Sequence, residues 1–318
     1  MTDSQVEPTV EPRQEAEALQ RVSVPELDAV LGKPFPVLDQ GFVRVVDYMG
    51  TDSSIVQAAR VSYGTGTKRV REDRGLIRYL MRHEHTTPFE MCDIKLHVKV
   101  PMDIWRQWIR HRTASVNEYS TRYSIAIDEA HRVQDGAWRA QSTSNRQGSE
   151  GLVDGSLVGR LSEREGELQD LAREVYQERL DAGVAREQAR KDLPLSTYTE
   201  AYWKTNLHNL LHFVHLRMDD HAQWEIQEYA RTIGEQIISR WCPVAWEAFL
   251  DYRVNTMSFS DPELACLTAI MAGNQEAAVA AALDRGLLRE RNGERKPTRE
   301  GSEFAVKLSR MGLEVPWA

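Results

Sequence analysis

The spacing of apolar positions divides the chain into a long central stretch of strands and helices with a flanking segment on either side. The run FVRVVDYM from Phe42 is β-branched and aromatic, and CDIKLHVKV from Cys92 alternates apolar with polar residues, so both are predicted strands. Between them, residues 52–61 and 71–84 have helical spacing, with Ile77, Leu80 and Met81 on one apolar face. Another helix is predicted from Met102 to about Arg112, after Pro101 at a favourable first position. Residues 137–158, rich in Ser, Gly, Gln and Asn, read as a long mobile loop that interrupts one fold without dividing it, and 160–182 as a charged amphipathic helix. After the LPL segment at 193–195, two more helices are predicted near 206–217 and 221–240. From about residue 256, short helical patterns and an RNGER turn at 291–295 read as a small appended module of unknown role. Residues 1–22 carry Asp3, Glu7, Glu11, Glu15 and Glu17 with little apolar content and read as a mobile acidic tail. The expected division is therefore 1–22 tail, 23–255 main domain and 256–318 module.

Composition narrows the class. With 318 residues, 41% hydrophobic and 28% charged, the chain can bury a substantial core. It has no apolar run long enough to span a membrane, and its polar, acidic start lacks the features of a signal peptide, so a cytoplasmic protein is expected. Cys92, Cys242 and Cys266 are far apart and odd in number, which supports neither a disulfide framework nor a cysteine metal site. A formal charge of −8 argues against a general nucleic-acid binder. Positive charge is nevertheless concentrated locally. Arg106, Arg110, His111, Arg112 and Arg122 face a single acid, Glu118, within residues 106–122, so an anion pocket can form inside an acidic protein.

That stretch, RQWIRHRTASVNEYSTRYS from Arg106, is the strongest chemical signal. On a continuous helix Gln107, Arg110 and His111 share one face, and in an extended chain Glu118, Ser120 and Arg122 share one side. Guanidinium forks with a hydroxyl and a carboxylate suit a phosphate joined to a ring with amide-like edges, as in a nucleotide. An isolated Arg-His-Arg is usually a solvated helix face. Here Arg110-His111-Arg112 is followed after seven residues by Ser120, with Asn117, Glu118, Arg122 and Tyr123 in place. In this the sequence resembles the flavin-dependent thymidylate synthases. The likeness extends from about Gly41 to Arg253 through AARVSYG at 58–64, HTTPFE at 85–90 and FVHLRMDDHAQWEIQEYA at 213–230, roughly two thirds of the chain.

The resemblance implies an α+β fold of mixed helices and antiparallel sheet, assembled as a homotetramer whose active sites are shared between subunits. It implies reductive methylation of dUMP to dTMP, with methylenetetrahydrofolate as carbon donor and FAD carrying hydride from NADPH. By the same resemblance Gln107, Arg110, Glu118, Ser120, Thr121, Arg122, Arg190 and Arg217 contact dUMP. Thr87, Arg110, His111, Arg112, Glu118, Asn206, His208 and His212 line the FAD site, with Ser62, His85, Glu90 and His221 as further candidates. Thr121 stands where the family often has a smaller residue, which points to a backbone contact, and His208 and His212 also depart from the pattern. Arg217 is assigned the catalytic role, because a guanidinium beside the uracil stabilises negative charge developing on the ring. No cysteine has a neighbouring base to make it a nucleophile, and no Ser-His-Asp arrangement accompanies Ser120.

Other signals lead elsewhere. His208, His212 and His215 fall on one helix face at metal-ligand spacing, yet no H-E-x-x-H or carboxylate cluster accompanies them, so no metal is expected. The YGTGTK loop at 63–68 lacks a full dinucleotide fingerprint. Trp105, Trp108, Trp203 and Trp224 read as core or interface anchors, and the arginines at 285, 289, 291, 295 and 299 as solvated surface. The rival to an enzyme is a nucleotide-binding regulatory module that kept the pocket without turnover; a histidine-metal hydrolase is a third possibility.

Overall fold

A computed structural model of the chain describes residues 21–61, 70–127, 129–142 and 148–317. The acidic tail apart from Arg21 and Val22, Ser62 and the YGTGTK loop lie outside the described residues. The chain divides into two units, one ending at Arg253 and the other beginning at Val254. No helix among the described residues is long and apolar enough to cross a membrane.

The first unit opens with a single turn, α1 (Pro25–Asp28), and strands β1 (Phe35–Val37) and β2 (Gly41–Met49). Helices α2 (Asp52–Val61) and α3 (Val70–Arg82) precede β3 (Asp93–Pro101), followed by α4 (Met102–Trp108) and β4 (Ser115–Glu118). A hairpin, β5 (Arg139–Gln141) and β6 (Ser149–Leu152), leads into α5 (Gly155–Asp181), the short α6 (Arg186–Ala189) and β7 (Tyr198–Asn206). Helices α7 (Leu207–Arg217), α8 (Trp224–Thr232), α9 (Ser239–Trp241) and α10 (Pro243–Phe249) complete it, with π-helical turns at Ile233–Ile238 and Leu250–Val254. The main sheet is antiparallel in the order β1-β2-β3-β7-β4.

The alternation read in β3 sets which of its residues face the covering helices. Ile94, Leu96, Val98 and Val100 of β3 are buried, and they stand in register with Thr205, Trp203, Ala201 and Thr199 of β7. Helices α4, α7 and α8 cover this face. The Trp108 ring lies 4.6 Å from Phe213, 5.4 Å from Trp203 and 5.8 Å from Tyr229. Each such aromatic pair adds about 0.5–1.5 kcal/mol beyond the area it buries, which fixes α4 and α7 against the sheet and so fixes whatever their ends carry. The four tryptophans expected as anchors divide accordingly: Trp105, Trp108 and Trp203 are buried, while Trp224 receives the Arg139 guanidinium over its ring. On the other sheet face, Arg44 donates to His97 Nδ1 at 2.9 Å and His97 Nε2 meets Glu200 at 2.7 Å, a polar row across β2, β3 and β7.

Three local expectations are corrected. The helix after Pro101 stops at Trp108 and not near Arg112, because the chain turns there, with His111 N donating to Trp108 O, to bring β4 alongside β7. Gln107, Arg110 and His111 therefore do not share a helix face. Glu118 ends β4, and Ser120 to Ser124 form a hydrogen-bonded turn, so Glu118, Ser120 and Arg122 do not line one side of a strand. Within 137–158 the β5–β6 hairpin and the start of α5 replace a structureless loop. Strand β7 went unpredicted, although Ala201 and Trp203 alternate with Glu200 and Lys204 in its sequence.

The second unit packs α11 (Asp261–Met271), α12 (Gln275–Asp284), the hairpin β8 (Leu288–Arg291) and β9 (Glu294–Pro297), and α13 (Arg299–Arg310) around Cys266, Ala282, Leu287, Leu288, Phe304 and Leu308. Ser260 and Glu263 form a reciprocal cap that starts α11. Asn292 and Gly293, both at positive φ, make the hairpin turn anticipated from RNGER. Arg285, Arg295 and Arg299 pair with Asp261, Glu290 and Glu303 at the surface.

Candidate active site

The predicted site residues fall into three groups within one chain. The first lines a cavity of about 250 Å³ between α3 and α7. Leu80, Met81, Phe89, Leu211 and Phe249 form its apolar walls; His85, His208, His212, His215, Glu84 and Arg253 supply the polar groups. Helix α7 presents His208, His212 and His215 because their i, i+4 and i+7 spacing stacks them on one side. Burial pushes the His208 and His215 imidazoles below their ordinary range, against the opposing pull of Glu90 and Asp219 respectively. Asn206 caps this helix: its side-chain oxygen accepts from Asn209 N at 2.9 Å and from Asn209 Nδ2 at 2.8 Å. Thr87 opens a 3₁₀ turn beside the cavity and is exposed, and it is not among the lining residues. Arg253, carried by the second π-helical turn, pairs with Glu84 at 2.7 Å.

The second group borders an open cleft of about 560 Å³ between the turn after β4 and the segment 190–199. Glu118, Ser120, Thr121 and Arg190 line it, together with Tyr119, Lys191, Tyr198 and Thr199. Thr199 Oγ1 donates to Glu118 at 2.9 Å, and Arg190 contacts the Thr121 hydroxyl. Tyr198 is anchored beneath by donating to Asp39. Burial alone would raise the Asp39 pKa, but hydrogen bonds from His131, Tyr198 and Arg132 N outweigh it and hold this carboxylate well below its ordinary range. Sequence reasoning missed Asp39, Lys191, Tyr198 and Thr199; the alternation in β7 was the signal that could have found the last two.

The third group joins the end of α4 to the end of α7. Arg217 Nε donates to His111 Nε2 at 3.1 Å, and its Nη2 donates to Gln107 O at 3.2 Å. The Gln107 side chain donates to Gln223 at 2.6 Å. The His111 ring meets Phe213 edge-on at 4.9 Å and His212 at 5.8 Å, so this cluster borders the first cavity. Burial, reinforced by Arg217 and His212, pushes the His111 imidazole down to about 4. Among the described residues, neither the half-buried Arg217 nor Arg190 has a carboxylate partner; the same is true of the exposed Arg110 and Arg112. Arg122 points to Glu187 at 3.3 Å, away from this group. Glu90 and His221 lie outside the cavity linings, with His221 paired to Asp219 at 2.7 Å.

All three cysteines are free and buried. Burial pushes the Cys242 and Cys266 thiols up, so neither offers a ready thiolate.

Guanidinium groups without a carboxylate partner among the described residues, close to cavities whose linings include Phe89 and Phe249 or Tyr119 and Tyr198, suit a protein whose ligands are anionic and carry flat rings. The comparisons agree. Residues 44–244 match the family model described as thymidylate synthase complementing protein. A flavin-dependent thymidylate synthase of Rickettsia conorii is 50% identical over 271 residues, covering 80% of this chain and 91% of the relative. One of Ehrlichia ruminantium (strain Gardel) is 49% identical over 266 residues, covering 83% and 88%. The crystal structure of a UMP/dUMP methylase PolB from Streptomyces cacaoi bound with 5-Br dUMP superposes with a TM-score of 0.60 at 32% identity, covering 69% of this chain and 98% of that one. The chain belongs to the flavin-dependent thymidylate synthase family and is an enzyme of the methyltransferase class.

Proposed function

We propose that the protein converts dUMP to dTMP, with methylenetetrahydrofolate giving the carbon, NADPH the reducing equivalents and FAD the link between them. The observation that carries this reading is Arg217: a half-buried guanidinium, held from one edge by His111 and Gln107 O and lacking a carboxylate partner among the described residues. A uracil ring whose carbon 5 is to attack a one-carbon unit must bear negative charge on its oxygens and nitrogen, and a fixed guanidinium stabilises it there. The carbon arrives at the oxidation level of formaldehyde, a hydride completes the methyl group and the carbon 5 proton leaves, so no enzyme thiol need bond to the ring.

Glu118, Ser120, Thr121 and Arg190, around the second cleft, are proposed to hold the nucleotide, with Gln107, Arg110 and Arg122 completing its contacts. The first cavity, apolar in its walls with histidines at its polar edge, accords with part of a flavin dinucleotide. Thr87, His111, Arg112, Asn206, His208 and His212, with Arg110 and Glu118, would hold it. When bound, the flavin supplies the hydride-transfer chemistry. These residues divide among separate surfaces of one chain, which supports a site completed by other copies in a homotetramer; a cytoplasmic setting completes the proposal.

The test is an absorption spectrum after loading with FAD and gel filtration, followed by a dTMP assay with dUMP, methylenetetrahydrofolate and NADPH. Flavin bands with product support the reading. Bound flavin without product favours a regulatory module, and no flavin at all removes the basis of the proposal. A related prediction concerns Asn206. Asn206→Ala removes the cap that sets the first turns of α7, at a cost of about 1 kcal/mol, and should lower the flavin-to-protein ratio severalfold, whereas Asn206→Asp, which keeps a cap acceptor, should retain more flavin. Equal loss in the two variants would show that capping is not what the flavin site needs.

A further inference from the structure

We propose that His111 is a positioning residue for Arg217: as a neutral acceptor at Nε2 it holds one edge of the guanidinium and turns the opposite fork toward the substrate ring. This rests on the dUMP reading above and adds the device that aims its principal cation.

A guanidinium has five N–H donors in a rigid plane. Two are engaged, Nε on His111 Nε2 at 3.1 Å and one on Nη2 with Gln107 O at 3.2 Å. These lie along one side of the plane, so the outer Nη1/Nη2 fork remains to address a flat acceptor edge. Because Arg217 always donates, His111 must present a lone pair at Nε2 and carry its proton on Nδ1. The ring cannot turn freely: Phe213 packs edge-on at 4.9 Å, His212 lies at 5.8 Å, and His111 N is tied to Trp108 O.

Charge enforces the same state. The groups acting electrostatically on His111 are Arg217 and His212, both on α7, and with burial they oppose its protonation. An imidazolium at this position would lose the acceptor and repel the guanidinium. Arg217-dependent turnover should therefore decline as pH falls toward about 4, with the imidazole still neutral at physiological pH.

The experiment uses the full chain loaded with FAD and compares His111→Phe, which cannot accept, with His111→Gln, whose amide oxygen reaches nearly as far as Nε2 and does not titrate. We expect His111→Phe, assayed at saturating FAD because the same ring is proposed to help hold the flavin, to lower kcat by roughly ten- to a hundredfold, with KM for dUMP changing far less. His111→Gln should recover at least tenfold of that loss and show no acid limb from residue 111. Added guanidinium ion should partly restore Arg217→Ala but not Arg217→Ala combined with His111→Phe. Unchanged kcat in His111→Phe overturns the proposal, and so does loss of flavin in both variants without a selective fall in kcat. If the wild-type protein makes no dTMP, the functional reading fails separately. The pairing is then judged by a double-mutant cycle on unfolding in urea with Arg217→Ala and His111→Phe, where a coupling indistinguishable from zero overturns it.

Discussion

Arg217→Ala should lower kcat for dTMP formation by at least roughly a thousandfold while the purified protein keeps its flavin to within about threefold. The reason is differential binding. Negative charge on the uracil exists mainly in the transition state, so a cation aimed at the ring contributes far more to turnover than to ground-state affinity. The location of Arg217 supports this separation of effects, since it donates to His111 and to a backbone oxygen and is not itself among the walls of the histidine-lined cavity. Lysine should not restore the activity, because one ammonium cannot both reach His111 and Gln107 O and present a planar fork to a ring edge. Single-turnover formation of dTMP, with the flavin spectrum read on the same sample, is the measurement. Turnover at the wild-type rate would remove Arg217 from the chemistry.

Gly41→Ala should be among the most destabilising single substitutions in the first unit, at about 2–4 kcal/mol. Gly41 begins β2, opposite Val37, and a Cβ there would lie 2.0 Å from Tyr229 Oη, 2.7 Å from Val37 O and 2.9 Å from Lys99 O. Two of these are backbone oxygens that cannot yield without breaking the sheet. The third belongs to a buried tyrosine donating to Lys99 O at 2.7 Å, and displacing it would leave a buried hydroxyl unpaired. A loss of this size corresponds to a fall of roughly 6–12 °C in Tm for a unit of this length. A shift of less than about 2 °C on thermal unfolding would mean that the strand ends part more easily than this packing allows.

Both predictions depend on atoms brought together from distant parts of the chain, which marks the boundary of what the sequence could convey. The alternation in Ile94, Leu96, Val98 and Val100 identified a strand, and the periodicity around Ile77, Leu80 and Met81 identified a helix; both are local properties of the chain. The Arg-His-Arg signature with Ser120 pointed to the family, since residue types at fixed spacing are visible without coordinates. The same linear view extended one helix through His111, because nothing in its periodicity shows that β4 has to turn back to reach β7. It also passed over β7, where the apolar-looking run Ala201-Tyr202-Trp203 conceals an alternation in which Tyr202 is the exposed member.

What the sequence determined by itself was therefore the family, through that resemblance the expectation of an antiparallel α+β fold, and the inventory of cationic and aromatic groups. Only the tertiary structure decided their use. It paired Arg217 with His111 across 106 positions, gave Glu118 a partner in Thr199 and placed Asp39 beneath Tyr198. Burial and neighbouring charge, which set the protonation state of His111 and the edge from which Arg217 is held, arise from the three-dimensional surroundings of a side chain and have no signature in its order along the chain.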